Sequence, residues 1–369
     1  MTIGIVGAGQ LGRMLALAGL PLGLDFLFLD RSADMPAAAL APMLVGEFTD
    51  RAVLRRLARR SEVLSFDWEN ISVAALRTAT RGLPTRIAPP LRALATGQDR
   101  LREKRLFERL GIPTTRYAAV SSRAQLLRAC ARIGMPGVLK TRRLGYDGKG
   151  QAVIRDHAGL EAAWQALGGT ALLYEEQVAL DAEVSAIGTR GRDGALALYP
   201  LTRNWHLDGI LRLSVAPWLA PDLERQAHRH LRAVLREFAY VGTLALEFFV
   251  RDGRLIANEL APRVHNSGHW TIEGAVTSQF ENHLRAIAGL PLGDPAAVGH
   301  AAMVNFIGRM PARATVLAAR GVHLHDYGKR PRPGRKLGHG TLVAPTAAQR
   351  DRRARTLLRS LALSLTGAP

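Results

Sequence analysis

The stretch TLALEFFVRDGRLIANELAPR, residues 243–263, decides how the centre of this 369-residue chain folds. Its first part, residues 243–250, is rich in leucine, phenylalanine and valine and predicts a β-strand. Asp252-Gly253 is a dipeptide typical of a tight hairpin turn. Residues 255–260 supply an apolar return strand. The stretch therefore predicts a β-hairpin.

Two glutamates of this hairpin form a candidate metal-binding pair. Glu247 and Glu259 are equidistant from Gly253, so a hairpin symmetric about Gly253, with an odd-length loop, places them opposite each other on one face. Opposed carboxylates repel unless a cation lies between them, and magnesium, which also takes ATP phosphates and water, is the natural choice. The alternative is a solvated pair on an exposed face. The apolar neighbours Phe249 and Ile256 disfavour it.

A second informative stretch is LKTRRLGYDGKGQ, residues 139–151. Lys140 ends a predicted strand, and three glycines follow in a loop whose N–H groups can surround phosphate oxygens. Lys140 and Lys149 add positive charge where ATP carries most of its negative charge. The alternative is a basic surface hairpin with solvated lysines. The Walker pattern G-x-x-x-x-G-K-[ST] is absent from this loop.

The N-terminal run also ends in a glycine-rich turn. Residues 2–6 predict a strand, Gly7, Gly9 and Gly12 match G-x-G-x-x-G, and Asp30 follows about 20 residues later. The pattern is compatible with the dinucleotide site of an NAD-dependent oxidoreductase. It equally fits another phosphorylated ligand at a helix N-terminus, or a tight turn without a ligand. The motif alone does not separate these alternatives.

The order of predicted elements indicates a fold of α/β and α+β class. Strands and helices alternate through residues 1–66, which predicts a parallel sheet with helices on both faces. Prolines punctuate residues 84–97, and the composition changes again after Pro291. We therefore predict three domains, with bounds 1–97, 98–293 and 294–369.

Composition disfavours several classes of protein. Hydrophobic residues make up 47% of the chain, but no apolar run reaches the length of about 18 residues typical of a membrane span. The N-terminus does not resemble a signal peptide, and Cys130 is the only cysteine, so we expect a cytoplasmic protein. The net charge of +19 comes from dispersed arginines, and aromatic residues are only 6%, which favours a solvated surface over nucleic-acid binding.

Together these stretches resemble the ATP-grasp superfamily and, within it, the 5-(carboxyamino)imidazole ribonucleotide synthases of purine biosynthesis. The resemblance covers nearly the whole chain. It is carried by GAGQLGRM (7–14), QDRLREKRLFERLGIP (98–113), LKTRRLGYDGKGQ (139–151), YPLTRNWHLDGILRLSVAP (199–217), NELAPRVHNSGHWTIEGAVTSQFENHLRAIAGLPLG (258–293) and RPGRKLGH (332–339). HNSGHW and RPGRK are specific to this family, whereas GxGxxG is not.

The resemblance implies an ATP-grasp fold with an N-terminal Rossmann-like domain, a mobile lid at about residues 114–178 and a small C-terminal domain. It implies a ligase in which ATP phosphorylates bicarbonate to carboxyphosphate, which then carboxylates the exocyclic amine of aminoimidazole ribonucleotide. A glycine loop that closes over the phosphates would keep water from carboxyphosphate. ATP as co-substrate, two magnesium ions and a homodimer are further implications.

The resemblance also assigns ATP and metal contacts to individual residues. The phosphates would contact Arg100, Lys140, Gly145, Tyr146, Asp147, Gly148, Lys149, Gly150 and Gln151. The adenine would lie along the backbone of Glu175, Glu176, Gln177 and Val178, and the ribose would contact Glu183 with His206 nearby. Magnesium would be bound by Glu247 and Glu259, with Asn258 beside them.

The remaining assignments concern the ribonucleotide and the reaction. The ribonucleotide would contact Gln10, Leu11, Gly12, Glu69, Tyr146, Arg263, Lys329, Arg335 and Lys336. The residues assigned to catalysis, which position bicarbonate and the amine, are Arg263, His265, Asn266 and Asp147. Under this assignment the first glycine loop belongs to the ribonucleotide pocket and not to an NAD site.

Two positions depart from the pattern of the superfamily. Ala261 stands where many members have asparagine, so water would complete the metal shell, and Leu144 stands where some relatives have glycine. Three other functions remain open from the residues. They are a formate-using ATP-grasp enzyme similar to glycinamide ribonucleotide transformylase, which HNSGHW disfavours, an NAD-dependent oxidoreductase, and a basic protein that binds nucleic acid.

Overall fold

The computed structural model describes residues 1–143, 145 and 150–368. Tyr146, Asp147, Gly148 and Lys149, to which the resemblance assigns ATP and ribonucleotide contacts, lie outside the described residues, as does Leu144. Within the described residues, none of the helices combines the length and the apolar character that crossing a membrane requires.

The N-terminal part forms a five-stranded parallel sheet, as the alternation of predicted elements indicated. Its strands are β1 (Thr2–Val6), β2 (Asp25–Asp30), β3 (Met43–Val45), β4 (Val63–Phe66) and β5 (Arg86–Ile87), in the order β3-β2-β1-β4-β5. Its helices are α1 (Gln10–Gly19), α2 (Arg51–Arg59), α3 (Val73–Thr80) and α4 (Leu91–Gly97). Because the strands are parallel, the carboxyl ends of β1, β2 and β4 meet at one edge.

Both faces of this sheet are covered, so its strands are apolar on both sides. Ile5 and Phe28 pack against α1, whose predicted stripe includes Leu11 and Met14. Phe66 lies in a separate core with α2 and α3. The helices α2 and α3 start at Asp50 and Ser72, whose side chains accept hydrogen bonds from the first free N–H groups of each helix.

A helix and a four-stranded antiparallel sheet follow. They consist of α5 (Arg100–Arg109), β6 (Tyr117–Val120), α6 (Arg123–Ile133), β7 (Gly137–Thr141), β8 (Gln151–Ile154), α7 (His157–Leu167) and β9 (Leu172–Glu176), and the strand order is β6-β9-β7-β8. The helices α6 and α7 pack on this sheet around Leu126, Leu139 and Leu160. The sheet occupies the segment in which the resemblance places a lid.

A nine-stranded sheet makes up the rest of the chain. Its elements are β10 (Ala182–Arg190), β11 (Leu196–Leu198), β12 (Thr202–Leu207), β13 (Ile210–Ala216), α8 (Pro221–Glu237), β14 (Gly242–Arg251), β15 (Arg254–Ala261), α9 (Thr271–Gly274), α10 (Gln279–Ala288), β16 (His300–Ile307), α11 (Arg313–Leu317), β17 (Val322–Asp326), β18 (Lys336–Ala344) and α12 (Ala347–Ser360). The order is β15-β14-β10-β12-β13-β16-β18-β17, and β11 pairs with β10. The C-terminal strands β16–β18 thus continue the same sheet that holds the glutamate hairpin. The division into domains at residues 98 and 294 stays a prediction.

Candidate active site

The hairpin β14–β15 does place Glu247 and Glu259 directly opposite each other, but the predicted reason is wrong. Arg251 pairs with Arg254, so the turn is the two-residue Asp252-Gly253 and not an odd-length loop about Gly253. Both turn residues have positive φ, as a tight hairpin turn requires. This register alone would pair Glu247 with residue 258.

A β-bulge corrects the register by one residue. Phe248 pairs with Ala257 whereas Glu247 pairs with Glu259, so Asn258 is the extra residue of the bulge. The bulge brings the two carboxylates to one face, while Leu246 and Phe248 point into the apolar core beneath α8. A bulge next to a functional site re-aims a side chain, and here the side chain is that of Glu259.

Glu247 lies in an acidic and largely dry environment. Its side chain is 12% exposed, and its Oε1 lies 3.3 Å from Nε2 of His265. Burial, followed by the negative charge of Glu259, raises the pKa of Glu247 above its ordinary value, and His206 and Lys336 partly offset this increase. The site therefore favours an additional positive charge between the two carboxylates.

His265 is held in one tautomer. Its Nδ1 accepts a hydrogen bond from the backbone N–H of Ser267 at 3.3 Å, and the Ser267 hydroxyl lies 2.8 Å from the same nitrogen. Burial, together with nearby Arg263 and Lys336, lowers the pKa of His265 well below its ordinary value. A neutral imidazole that accepts at Nδ1 carries its proton on Nε2, so His265 points an N–H group at Glu247.

Gln279 fixes the backbone of His265 from both sides. Its Oε1 accepts a hydrogen bond from the His265 N–H at 2.9 Å, and its Nε2 donates to the His265 carbonyl at 2.6 Å. Gln279 is fully buried at the start of α10. Sequence reasoning did not identify Gln279, because a glutamine in the first turn of a helix carries no signal of such a contact.

Further charged residues surround the pair. Arg100, in the first turn of α5, lies 3.7 Å from Glu259. Nδ1 of His206 on β12 lies 3.0 Å from Glu183 on β10. Burial lowers the pKa of His206, but the contact with Glu183 and the charge of Glu247 outweigh it, so the net shift is upward. The structure therefore brings six of the predicted residues together at the glutamate hairpin, namely Arg100, Glu183, His206, Glu247, Glu259 and His265.

Lys140 and Glu175 meet on the four-stranded sheet. Lys140 Nζ contacts Glu175 Oε1, and Lys104 Nζ lies 3.1 Å from the other carboxylate oxygen. The Glu175 side chain is thus engaged in ion pairs with Lys140 and Lys104. The next residue, Glu176, pairs at 2.7 Å with the exposed Arg116. Lys104 was not predicted as a site residue.

The other adenine and loop residues frame the same strands. Gln151 pairs with Lys140 across β7–β8, and the Gly150 carbonyl accepts a hydrogen bond from the Thr141 N–H at 2.8 Å. Gln177 donates its N–H to the Pro136 carbonyl at 3.2 Å, and Val178 follows β9 half-buried. Gly145, between β7 and β8, is half-buried.

The HNSGHW segment adds buried polar groups that have no hydrogen-bond partner among the described residues. Both side-chain atoms of Asn266, Nδ2 and Oδ1, are buried without a hydrogen-bond partner in the described residues. A buried amide of this kind requires a ligand or water to satisfy it. Nearby, Arg263 Nε lies 2.9 Å from Glu69 Oε1, so the DWEN stretch (residues 67–70) reaches the predicted anion-binding arginine.

The first glycine loop differs from the NAD interpretation. Asp67 Oδ2 accepts hydrogen bonds from the N–H groups of Gly9 at 2.8 Å and Gly12 at 3.0 Å. The N–H of Ala8 donates to Asp30 Oδ2 at 2.8 Å. The backbone N–H groups at this helix N-terminus, which would bind a phosphate, therefore donate to carboxylates of the chain itself. One of these carboxylates is that of Asp30. A pyrophosphate has no place to bind at this turn.

Asp67 could have been found from the sequence. It follows β4, whose carboxyl end lies beside that of β1, so its side chain comes next to the glycine turn. A Cβ at Gly7 would lie 1.6 Å from Asp67 Oδ1, which excludes any larger residue there. Burial raises the pKa of Asp67 to about 6, although the Gly12 N–H opposes this shift. The side chain of Leu11, a predicted contact residue, is buried in the core instead.

The C-terminal segment closes the site. Lys329 Nζ contacts Gln10 Oε1, although the two residues are far apart in the sequence. Lys336 at the start of β18 is close enough to Glu247 and His265 to affect the pKa of both. Arg335 donates a hydrogen bond to the Arg330 carbonyl at 3.1 Å. The predicted ribonucleotide residues on the first and the last sheets thus lie together.

Comparison with known proteins identifies the family. Residues 1–98 match the ribonucleotide synthetase preATP-grasp domain, residues 105–280 match the ATP-grasp domain and residues 301–353 match the phosphoribosylaminoimidazole carboxylase C-terminal domain. An N5-carboxyaminoimidazole ribonucleotide synthase of Pseudomonas aeruginosa is 50% identical over 342 residues, which cover 93% of this chain and 94% of the relative. The chain belongs to the N5-carboxyaminoimidazole ribonucleotide synthase family.

Solved structures of this family have the same fold. The crystal structure of the synthetase from Thermus thermophilus matches with a TM-score of 0.92 at 49% identity, covering 97% of this chain and 98% of that one. A synthase from Aspergillus clavatus, solved in complex with ADP and 5-aminoimidazole ribonucleotide, matches with a TM-score of 0.90 at 28% identity over 98% of both chains. The chain is therefore an ATP-grasp ligase, as the resemblance implied, and the formate and NAD alternatives are not favoured.

Proposed function

We propose that this enzyme uses ATP and bicarbonate to carboxylate the exocyclic amine of 5-aminoimidazole ribonucleotide in purine biosynthesis. The products are 5-(carboxyamino)imidazole ribonucleotide, ADP and phosphate. The observation that carries the proposal is the meeting of three segments at one face, namely the glutamate hairpin, the HNSGHW segment and the lysine-bearing C-terminal segment. The relative from Aspergillus clavatus, solved with ADP and the aminoimidazole ribonucleotide, supports the same substrates.

ATP is proposed to bind between the four-stranded sheet and the hairpin. Lys140 and Arg100 lie on opposite sides of this space, one beside Glu175 and the other beside Glu259. Their positive charges suit the phosphates, and the connection from Gly145 to Gln151 would cover them. The backbone of residues 175–178 would receive the adenine, and Glu183 would receive the ribose. Positioning and charge neutralisation are the main requirements of phosphoryl transfer.

Magnesium fits the hairpin by the chemistry of its donors. Glu247 and Glu259 oppose each other in a site where burial already penalises a second negative charge. We propose that they hold two magnesium ions, with Asn258 beside them. When bound, the ions would neutralise the phosphates during transfer. No cluster of three or more His, Cys, Asp or Glu side chains in the described part of the chain is arranged to hold a metal, so ATP and water would supply the other ligands.

The carboxylation chemistry is assigned to residues of the HNSGHW segment and its neighbours. Arg263, oriented by Glu69, would hold bicarbonate or carboxyphosphate as a bidentate donor. The Asn266 amide, which has no hydrogen-bond partner in the part of the chain that the structure describes, would orient the same anion or the amine. His265, neutral and fixed by Ser267, would order the groups around Glu247. Asp147 retains its proposed catalytic role and Tyr146 its role in ribonucleotide binding.

The ribonucleotide is proposed to lie between the first sheet and the C-terminal segment. Its phosphate would contact Lys329, Arg335 and Lys336, and the backbone of residues 10–12 would line the pocket. We further propose that the enzyme is a cytoplasmic homodimer without nucleic-acid or membrane partners. Light scattering of the purified protein in solution tests the dimer, and its expected mass is twice the 40.0 kDa of one chain.

Substrate-dependent ADP release tests the proposed function. With ATP and magnesium present, ADP release is expected to require both bicarbonate and aminoimidazole ribonucleotide. Replacing bicarbonate by formate, and the ribonucleotide by glycinamide ribonucleotide, is expected to abolish the release. Activity with the formate pair would establish the transformylase alternative. A fluorescence titration with NADH is expected to show no binding, because carboxylates fill the first glycine loop.

A further inference from the structure

Lysine is rare in this chain. Five lysines occur among 50 basic residues, at positions 104, 140, 149, 329 and 336. Four of these positions have proposed contacts with ATP or the ribonucleotide. Arginine serves as the basic residue everywhere else, which indicates that lysine occurs where a compact ammonium is needed and a planar guanidinium does not fit. The fifth lysine, Lys104, has no assigned role.

Lys104 is a buried cation with four oxygen neighbours. Its side chain is 2% exposed, on the inner side of α5. Nζ lies 3.1 Å from Glu175 Oε2. It also donates hydrogen bonds to the Thr114 hydroxyl at 2.9 Å and to the carbonyls of Ala257 at 3.3 Å and Asn258 at 3.5 Å. These oxygens belong to the four-stranded sheet, its connection to α5, and the glutamate hairpin. A cation enclosed in this way cannot move to another partner without losing its contacts with these four oxygens.

Glu175 carries one negative charge between two ammonium groups. Oε2 receives Lys104 and the hydroxyl of Thr115 at 2.8 Å, while Oε1 contacts Lys140. Burial by itself raises the pKa of Glu175, but the charges of Lys140 and Lys104 outweigh it and hold the pKa far below its ordinary value. The carboxylate is therefore ionised and has one more cation than its charge requires.

The two lysines differ in their freedom. The Lys140 side chain is 12% exposed and lies at the end of β7, beside the connection to Gln151, whereas the Lys104 side chain is 2% exposed. Lys140 has Glu175 as its one ion-pair partner in the described residues. Lys140 can therefore turn toward a phosphate, while Lys104 remains paired with Glu175.

We propose that Lys104 is a positioning residue that keeps Glu175 neutralised while Lys140 exchanges the carboxylate for an ATP phosphate. Without Lys104, the departure of Lys140 would leave a buried carboxylate unpaired, and that is strongly unfavourable. Lys104 thus lowers the cost of bringing Lys140 to the nucleotide. The inference rests on the proposed function in one respect, that the nucleotide phosphates bind at Lys140.

A purely structural role for Lys104 makes a different prediction. If Lys104 only connects α5 with Thr114 and the hairpin, its loss would lower the stability of the fold without a specific effect on nucleotide affinity. Removing Glu175 as well would then not restore any affinity for nucleotide. In the exchange described here, removing Glu175 releases Lys140 and makes Lys104 unnecessary. The two roles are therefore separated by a double variant.

The test compares Lys104→Met, Glu175→Gln and the double variant with the wild type. Met preserves the length and unbranched shape of Lys104 without its charge. The Ala257 carbonyl would keep a hydrogen-bond donor in this variant, because it also accepts from the Thr114 hydroxyl at 2.9 Å. Arg105→Met is the matched control, because Arg105 is the exposed neighbour on the same helix and loses the same charge. Titration calorimetry with ADP in excess magnesium gives Kd, and steady-state kinetics give separate KM values for ATP and the ribonucleotide.

Lys104→Met is expected to weaken ADP binding and raise the KM for ATP by about tenfold or more, since a charged hydrogen-bonded pair must then be broken. The KM for the ribonucleotide is expected to change by less than about twofold. The double variant is expected to return ADP affinity to within about threefold of wild type, and Arg105→Met to stay at the wild-type value.

Equal losses of affinity in Lys104→Met and in the double variant would overturn the inference, as would an unchanged Kd in Lys104→Met. If Lys104→Met does not fold, Glu175→Gln alone tests the exchange. Lys140 has no carboxylate to leave in this variant, so the variant should bind ADP at least as tightly as wild type does. A tenfold weaker ADP affinity in that variant would contradict the exchange. Failure of the wild-type enzyme to bind ADP would instead contradict the proposed function.

Discussion

Two buried carboxylates of this enzyme, Asp67 and Glu247, differ in where their partners come from. Asp67 directly follows β4 and Glu247 lies on β14, and burial raises the pKa of both. Asp67 accepts hydrogen bonds from two backbone N–H groups of the first glycine loop. Glu247 instead faces a second carboxylate, and the neutral His265 points an N–H group at it.

The difference shows how a buried acid indicates its role. The partners of Asp67 belong to the chain, so this carboxylate holds a loop in place and makes a motif similar to a dinucleotide site unable to bind one. The partners of Glu247 do not balance its charge, so this carboxylate favours a cation from outside. The same burial therefore accompanies a structural contact at Asp67 and a proposed metal-binding role at Glu247.

The largest effect is expected from neutralising the glutamate pair. Glu259→Gln and Glu247→Gln should each reduce ATP turnover about a thousandfold or more, because the proposed magnesium site would lose a ligand. ADP release measures the loss. Wild-type-like turnover in either variant would refute the metal assignment.

The stability of the same variants provides a control. The pKa of Glu247 is raised on folding, so the folded state holds that proton more tightly and the free energy of unfolding should fall as the pH rises from about 4.5. Glu247→Gln should remove this pH dependence, so the ligand-free variant should match wild type near pH 4.5 and be more stable than wild type at about pH 8. Strong destabilisation of this variant would show that the loss of turnover is a folding defect.

Asp67→Ala is expected to have the opposite profile. The substitution leaves the Gly9 and Gly12 N–H groups without their acceptor in a buried turn, which should lower the free energy of unfolding by about 2–4 kcal/mol. Urea denaturation measures this change. Asp67→Asn, which keeps an acceptor oxygen, should lose less than half as much. An Asp67→Ala variant with wild-type stability would refute the structural role.

Lys336 tests the substrate side of the Glu247 site. Lys336→Ala is expected to raise the KM for the ribonucleotide by about 10–100-fold, because a charged contact with phosphate is lost. Arg355→Ala, on the exposed face of α12, removes the same charge and should change neither KM. Steady-state kinetics with each substrate varied give both values. An increase confined to the KM for ATP would contradict the proposed contact between Lys336 and the ribonucleotide phosphate.

Lys329 gives the smallest expected effect, on the Asp67 side. Burial, followed by the positive charge of Arg335, lowers its pKa to about 8, although Asp67 opposes the shift. Above that pH the ammonium loses its proton and its attraction for phosphate, so kcat/KM for the ribonucleotide should fall about tenfold between about pH 7.5 and pH 9. Lys329→Arg should flatten this decline, since arginine stays protonated. An identical decline in that variant would assign the titration to another group.

The sequence predicted much of the fold because its signals are local. The strand–helix alternation of the first 66 residues, the stripe of α1 and the Asp252-Gly253 turn each depend on neighbours a few positions apart. The glutamate pair was also predicted to face each other. The reason differed, because the two-residue turn and the bulge at Asn258 each shift the register by one position and cancel.

Contacts between distant segments were not predictable in the same way. The hydrogen bonds of Gln279 to His265 and the position of Lys104 between two sheets depend on how whole elements pack. The glycine loop shows the limit most clearly. Its motif is the same whether a phosphate or a carboxylate fills it, and only the neighbouring strand end supplies Asp67.

By itself, the sequence determined the family and most strand and helix types, and it supplied the charged residues proposed to contact ATP and the ribonucleotide, because these depend on residue identity and local spacing. The tertiary structure decided which charges are already paired. Asp67 and Glu175 are compensated by groups from other parts of the chain, whereas Glu247 and Asn266 are not compensated within the described residues. Whether a buried polar group holds the fold or awaits a ligand depends on long-range packing, which brings its partners near or leaves it without them.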